Sequence, residues 1–323
     1  MTTIRKLRKT TEALLRERVE ENVEDLYDEP MGTLAKWMAN DPDFMKIPNV
    51  RFSLFSQSDW IYRSSLEKYV ADCLYGSLDL TWLQLAQQSQ SIEFICAATI
   101  RANNRQHRSA FVSLERFAEL LARSVVLGWR EDAELFARVG FNDVEGALDA
   151  GIGVMCPMPW FVVELFKDWL GASKVDLMTP FRTDFFENLG PWRELLANWR
   201  ETDLEKFEKI MFRAADVHVA QSREAEEDDD DETMHFDVEE TAYWMWPITL
   251  LAVLRLREWE GLKNPAMTHP LFRESPLGQL QEPLERQPND LLTAAQERFG
   301  RENPGMFSLA DLPRLRAAQG SRL

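Results

Sequence analysis

The sequence predicts an all-α fold, an irregular multi-helix bundle built of antiparallel helix hairpins with no sheet of consequence. Three observations predict it. Apolar residues recur at spacings of three and four along most segments, as they do on one face of a helix. No stretch alternates apolar and polar residues over the length of a strand. The chain has 323 residues, of which 45% are hydrophobic and 11 are Trp, so it can bury a sizeable core.

The N-terminal part of the chain is predicted to form long helices. The first covers residues 3–28 and ends at Pro30, and a short helix over residues 31–39 follows. A capping box at residues 56–59 is predicted to open the next helix, which ends at Gly76. A further helix at residues 79–101 begins almost at once, so these two helices are expected to form an antiparallel hairpin.

The middle of the chain continues the helical pattern. A helix is predicted at residues 113–127, and a short one is expected to begin near Asn142. Residues 151–159 contain two Gly and two Pro close together and end the pattern. After a helix at residues 160–170 and a short one that starts near Pro180, residues 191–200 and 203–220 are predicted to form a second hairpin. A capping box at residues 202–205 opens the second helix of that pair.

The most apolar helix-like stretch lies at residues 243–254, and we expect it to form part of the core. Pro247 leaves two alternatives for its start. The helix begins near Val238 and is kinked at Pro247, which is the interpretation we favour, or it begins at Pro247 itself as a first-turn proline. Small terminal helices are predicted at residues 290–299 and 309–318.

The glycine- and proline-rich break suggests a division of the chain into two helical halves. The N-terminal half covers residues 1–156 and the C-terminal half covers residues 157–323, with an acidic loop at residues 222–236. The alternative is that the two halves form one continuous domain.

The acidic loop is the most distinctive feature of the composition. The formal net charge is −17, and residues 224–240 contain 11 Asp and Glu and no Lys or Arg, so the remainder of the chain has a net charge of only −6. Two interpretations stay open: a solubilising linker, or a surface that binds a basic partner. The candidate partner-binding residues are Glu224, Glu226, Glu227, Asp228, Asp229, Asp230, Asp231 and Glu232.

The sequence shows no catalytic signature. The four histidines lack a second ligand at a metal-binding spacing, and no nucleophile, zinc or phosphate-loop motif occurs. We therefore expect no catalytic residue, no metal and no cofactor. The negative charge disfavours direct binding to nucleic acid, whose phosphates need a basic surface, and binding to an anionic membrane.

The chain is expected to be cytoplasmic. The basic N-terminus never reaches an apolar signal region, and the apolar run at residues 242–254 is too short to span a bilayer. The three cysteines, Cys73, Cys96 and Cys156, are expected to be buried free thiols.

A resemblance covers residues 191–278. It comprises WRELLANW at residues 192–199, the helical stretch at 203–219, a variable acidic insert, and WPITLLAVL at 246–254, which runs on to Gly261 and a His-Pro-Leu sequence at 269–271. This succession resembles the all-helical immunity proteins of bacterial polymorphic-toxin and type VI secretion systems, in particular immunity protein family 49. The resemblance implies a non-enzymatic antitoxin that binds a secreted toxin, often a nuclease, and covers its active site.

Two other function classes stay open beside the immunity protein. One is an all-α enzyme with a cavity that the sequence does not reveal, and the other is a helical scaffold for protein–protein interaction. The neighbouring genes would separate them, since a toxin gene favours the first class and a metabolic cluster favours the enzyme.

Overall fold

Helices account for almost all of the regular structure. The computed structural model of the chain describes residues 4–23, 27–47, 53–103, 112–142, 148–149, 157–171, 190–222, 238 and 240–320. Within these residues there are thirteen α-helices: α1 (Ile4–Val23), α2 (Glu29–Met38), α3 (Ser53–Leu74), α4 (Leu80–Asn103), α5 (Leu114–Val126), α6 (Arg130–Asn142), α7 (Pro157–Leu170), α8 (Pro191–Asn198), α9 (Leu204–Gln221), α10 (Ile248–Trp259), α11 (Pro270–Glu274), α12 (Asp290–Glu302) and α13 (Leu312–Gly320).

The sheet content of the described residues is minimal. Two strands of two residues each, β1 (Val112–Ser113) and β2 (Leu148–Asp149), pair in parallel. Short 3₁₀ turns occur at Phe44–Lys46, Thr241–Tyr243 and Leu309–Asp311. The prediction of an all-α fold is confirmed.

The helix α5 lies at the centre of the packing. It contacts α4, α6, α7 and α10, and ten of its residues are buried. The helices α3 and α4, which the turn at Gly76 joins, pack along each other as the predicted hairpin requires. Every residue from Ile248 to Arg257 of α10 is buried, so the predicted core position of residues 243–254 is confirmed.

The largest hydrophobic cluster draws residues from both predicted halves, from Ile4 in α1 to Leu315 in α13. A second cluster surrounds Trp37 and includes residues of α2, α3, α4 and α12. The division into two domains at residue 156 stays a prediction. In the described part of the chain, no helix is both long enough and apolar enough to cross a membrane.

One glycine allows two central helices to approach closely. A Cβ atom placed on Gly140 of α6 would lie 2.3 Å from Cζ of Phe117 in α5. The Phe117 ring in turn stacks on Phe94 of α4, with 5.1 Å between ring centroids. The glycine therefore makes room for an aromatic side chain that joins three helices.

The favoured start of the helix near Val238 was wrong. The α-helix α10 begins at Ile248, and the residues before it include a 3₁₀ turn at Thr241–Tyr243. Pro247 occupies the N-cap with ψ of 62°, outside helical geometry. Because proline has no N–H group and restricts the residue before it, it ends the turn and lets a new helix start, close to the second alternative.

The capping box predicted at residues 56–59 was also wrong, because it lies inside α3. The helix already begins at Ser53, and its first turn extends into the core through the fully buried Leu54. Within the predicted box, the Ser58 hydroxyl donates to the Leu54 carbonyl at 2.6 Å, one turn back in the same helix. In the second box, Asp203 and not Thr202 is the N-cap, since its carboxylate accepts from the amides of Glu205 and Lys206.

The helix α6 was not predicted, although its signals are present in the sequence. Glu131 and Asp132 lie in its first turn, and an apolar stripe follows that includes Phe136 and Val139. The predicted short helices near Asn142–Gly151 and after Pro180 fall mainly outside the described residues.

Candidate functional site at the base of the acidic segment

The predicted partner-binding carboxylates, from Glu224 to Glu232, lie outside the described residues. The structure describes the two points between which the acidic segment, residues 223–237, is inserted. The segment follows the last residues of α9, and the chain is described again at Val238. The candidate site therefore consists of the described residues at the two ends of the acidic segment, which we call its base.

The two ends of the acidic segment meet. Ser222 and Val238 form a single parallel β-bridge, and both residues are buried. The Ser222 hydroxyl donates to the carbonyl oxygen of His218, one turn back in α9, at 2.7 Å. Because both ends are held at one place, the segment leaves and rejoins the helical body at the same point.

Trp244 holds the C-terminal end of the acidic segment in place through a hydrogen bond to Val238. Its indole Nε1 donates to the carbonyl oxygen of Val238 at 2.8 Å, and its own carbonyl oxygen lies 3.2 Å from Nε2 of His218. A carbonyl oxygen can only accept, so Nε2 of His218 carries a proton. Burial lowers the pKa of His218 to about 4, and the imidazole is neutral near pH 7. This supports the prediction that His218 is a hydrogen-bonded core residue.

Tyr243, next to Trp244, connects this base to the centre of the protein. Its hydroxyl lies 3.0 Å from the hydroxyl of Tyr62 in α3 and accepts from Nη1 of Arg123 in α5 at 2.6 Å. Arg123 is fully buried, and its other nitrogens donate to the side-chain oxygens of Gln87 and Gln90 in α4. Three helices and the 3₁₀ turn are thus joined by one set of buried polar contacts.

One carboxyl group, Glu119 of α5, also belongs to this buried network. Its Oε2 accepts from the Tyr62 hydroxyl at 2.9 Å. The Tyr62 ring also lies near two guanidinium groups, with Cζ of Arg116 at 4.8 Å and Cζ of Arg123 at 4.9 Å from its centroid. Desolvation raises the pKa of Glu119 to about 7, although Arg116 opposes the shift.

A second buried carboxyl, Glu93 of α4, lies near Arg116. Burial raises its pKa to about 8, and Arg116 only partly offsets that effect. Its Oε2 has no hydrogen-bond partner among the described residues. Arg116 itself pairs with Asp59 at 2.8 Å. At pH 7 Glu93 therefore holds a proton, which removes the cost of an ionised carboxylate in the core.

The hydrogen bonds of the network can hold the helices and the 3₁₀ turn in fixed positions relative to one another. Its donors and acceptors point at one another and join α3, α4 and α5 to the residues that follow the acidic segment. Three His, Cys, Asp or Glu residues arranged to hold a metal ion do not occur anywhere in the described ranges. We interpret the network as the rigid support of the acidic segment.

Sequence reasoning did not identify this network. One signal was available: Arg123 interrupts the apolar stripe of α5, and Gln87 and Gln90 lie on one face of α4 at a spacing of three. A charged residue on an apolar stripe indicates a buried partner, but the sequence does not tell which residue that partner is.

Comparisons with protein-family models, with curated proteins and with solved structures gave no match. The resemblance of residues 191–278 to immunity protein family 49 therefore stays a prediction that rests on the pattern of helices and aromatic residues.

Proposed function

We propose that this protein is an immunity protein that binds a basic secreted toxin and covers its active site. The observation that carries the proposal is the fixed base of the acidic segment. A segment with nine Asp and Glu residues and a single Arg is joined at both ends, through Ser222 and Val238, to a buried and hydrogen-bonded support.

This arrangement suits recognition by charge. A dense row of carboxylates attracts a basic surface over a distance and orients it, which raises the rate of association. A toxin that cleaves nucleic acid must present cations where it binds phosphates. A carboxylate-rich segment placed there competes with the phosphate backbone for the same cations.

The buried network supports this function by keeping the base rigid. A binding element on a rigid support loses less conformational freedom when its partner binds, so less of the interaction energy is lost to ordering. His218 is neutral and Arg123 is hydrogen-bonded to other protein groups. The proposal gives neither residue a catalytic role.

The experiment that tests the proposal is co-expression with the proteins encoded by the adjacent genes, using bacterial growth as the readout. We expect one of these proteins to stop growth and the present chain to restore it. A variant with Asp228, Asp229, Asp230 and Asp231 replaced by Asn should protect less well at low expression.

A matched control replaces four exposed carboxylates elsewhere, Asp28, Glu131, Glu285 and Glu297, by their amides. It changes the net charge by the same amount and should protect like the parent. Equal loss of protection in both variants would show that only net charge matters, and the absence of any toxic neighbour would refute the proposed function.

A further inference from the structure

A cavity of about 530 Å³ lies between the α3–α4 hairpin and the segment 276–284. Its inner wall is apolar and aromatic and is formed by residues that are almost fully buried: Tyr69, Cys73, Leu83, Val126, Leu127, Trp246 and Leu277. Its mouth is formed by exposed residues, among them Leu78 (69% exposed) and Leu80 (36% exposed). The volume falls within the range that is typical of small-molecule sites, roughly 300–1,000 Å³.

The wall formed by the segment 276–284 is held in place at both ends. The amide of Leu284 donates to the Leu127 carbonyl at 2.9 Å, and the indole of Trp129 donates to the Leu284 carbonyl at 2.8 Å. At the other end, the Ser275 hydroxyl donates to the Met245 carbonyl. The cavity therefore exists without a ligand and does not need the chain to rearrange before one binds.

The charged and amide side chains of the cavity lie at its mouth, and none of its described lining residues is a cation. Among the residues that line it, Glu282 is the charged one, and it is exposed. Two amide side chains, Gln279 and Gln281, lie beside it and are also exposed. A carboxylate or phosphate that entered would lose water, find no positive side chain among the described lining residues and face the like charge of Glu282. The cavity therefore disfavours anions.

The same side chains favour ligands whose polar end group is positively charged or uncharged. A cationic end would find the Glu282 carboxylate at the mouth, and an uncharged hydroxyl or amide end can donate to the side-chain oxygen of Gln279 or Gln281. The Nε2 groups of these two residues already donate to the carbonyls of Phe272 and Gln279. The aromatic rings of Tyr69 and Trp246, whose centroids are 5.5 Å apart, offer a surface for an apolar body.

We propose that this cavity is a binding site for a small, mostly apolar molecule whose polar end is uncharged or positively charged. The proposal does not depend on the proposed binding of a toxin.

Cys73 provides a reporter inside the cavity. Its thiol lines the inner wall, and burial raises its pKa to about 11, so it reacts slowly with alkylating reagents. A bound ligand should slow this reaction further. The fully buried Cys96, which does not line the cavity, serves as the reference in the same sample.

The test uses octanol, octyltrimethylammonium and octanoate, which have nearly the same unbranched tail and differ in the end group. Isothermal titration calorimetry on the full chain should show binding of the first two and at least about tenfold weaker binding of octanoate. The bound compounds should also protect Cys73, and not Cys96, from N-ethylmaleimide, as measured by peptide mass spectrometry. Glu282→Gln should weaken binding of the ammonium compound several-fold and leave octanol unchanged.

Two tryptophan substitutions locate the site. Leu80→Trp places an indole at the mouth and should abolish binding, whereas Phe212→Trp changes an equally exposed residue of α9 outside the cavity and should have no effect. Since both positions are partly exposed, both variants are expected to fold. The proposal is overturned if no compound binds and Cys73 is not protected, if octanoate binds as well as octanol, or if Leu80→Trp binds like the parent. Loss of toxin neutralisation in Leu80→Trp would also overturn it and assign the cavity to the protein partner.

Discussion

Nη1 of Arg123 lies 2.6 Å from the hydroxyl oxygen of Tyr243, a residue 120 positions later in the chain. This hydrogen bond connects the central helix α5 to the 3₁₀ turn that follows the acidic segment. Arg123 is fully buried, and its remaining donors reach Gln87 and Gln90. A guanidinium inside the core is stable only while such partners surround it, so the bond couples the base of the candidate site to the stability of the fold.

Tyr243→Phe should lower the free energy of unfolding by about 1–3 kcal/mol, as measured by urea denaturation. The substitution keeps the ring and removes only the hydroxyl, which leaves Nη1 of Arg123 and the Tyr62 hydroxyl without that partner in a place that water does not reach.

Tyr75→Phe is the matched control for Tyr243→Phe. The Tyr75 hydroxyl donates to the Glu12 carbonyl at 2.8 Å, but the residue is 45% exposed, and water can replace the lost bond. Its effect should stay within about 0.5 kcal/mol. Equal effects of the two substitutions would show that the buried network does not stabilise the fold.

Two Gly→Ala substitutions in helices should act in opposite directions. In α2, a Cβ on Gly32 would meet nothing within 4 Å, so Gly32→Ala should stabilise by about 0.5–1 kcal/mol through the helix propensity of alanine. In α6, the Cβ of Gly140→Ala would lie 2.3 Å from the Phe117 ring, and we expect a loss of about 1–3 kcal/mol from overpacking. Thermal denaturation of both variants measures the difference. Stabilisation by Gly140→Ala would show that α5 and α6 are not in close contact.

Glu93 should make the protein less stable as the pH rises. Its pKa is raised by burial from about 4.5 to about 8, so between these values the folded state holds a proton that the unfolded state has released. The stabilisation is fully present below about pH 4.5 and is lost as the pH rises toward 8, with a slope of at most about 1.4 kcal/mol per pH unit.

Glu93→Gln isolates this contribution. The amide is neutral at every pH and has nearly the same shape, so the free energy of unfolding should fall less between pH 5 and 9 than in the parent. Asp132, whose pKa is also raised by burial, is not among the groups that shift the pKa of Glu93, so it titrates in both proteins and cancels in the comparison. Glu119 does interact with Glu93, and the change in its titration is part of the measured difference. Parallel pH profiles would mean that Glu93 is ionised in the folded protein.

The acidic segment should accelerate binding to the toxin more than it strengthens the complex. Replacing Asp228, Asp229, Asp230 and Asp231 with Asn should slow association by roughly tenfold or more at low salt and change dissociation little. Added salt should remove the difference, because exposed charges are screened within about 8 Å at physiological ionic strength. Stopped-flow mixing with the toxin measures both rates.

The control for the stopped-flow experiment is the variant with Asp28, Glu131, Glu285 and Glu297 replaced by amides, which should associate at nearly the parental rate. If the Asp228–Asp231 variant associates as fast as the parent at low salt, the segment is a solubilising linker.

Much of the fold could be predicted from the chain because helices depend on local information. The apolar spacing placed α3, α4, α5 and α9 within a few residues of their observed bounds. The first residue of a helix was harder to predict, since several neighbouring residues can serve as the N-cap. Pro247 was compatible with a kink or a new helix, and the packing of the residues around it decided for the new helix.

The sequence alone determined the all-α class, the core position of residues 243–254 and the location of the excess negative charge, since each depends on which residues are neighbours in the chain. Only the tertiary structure decided which polar residues meet. Arg123 and Tyr243, Ser222 and Val238, and the walls of the cavity beside Trp246 are brought together from distant parts of the chain. The physical reason is that a buried donor needs an acceptor within about 3 Å, and the packing of helices, not their local pattern, determines which acceptor lies there.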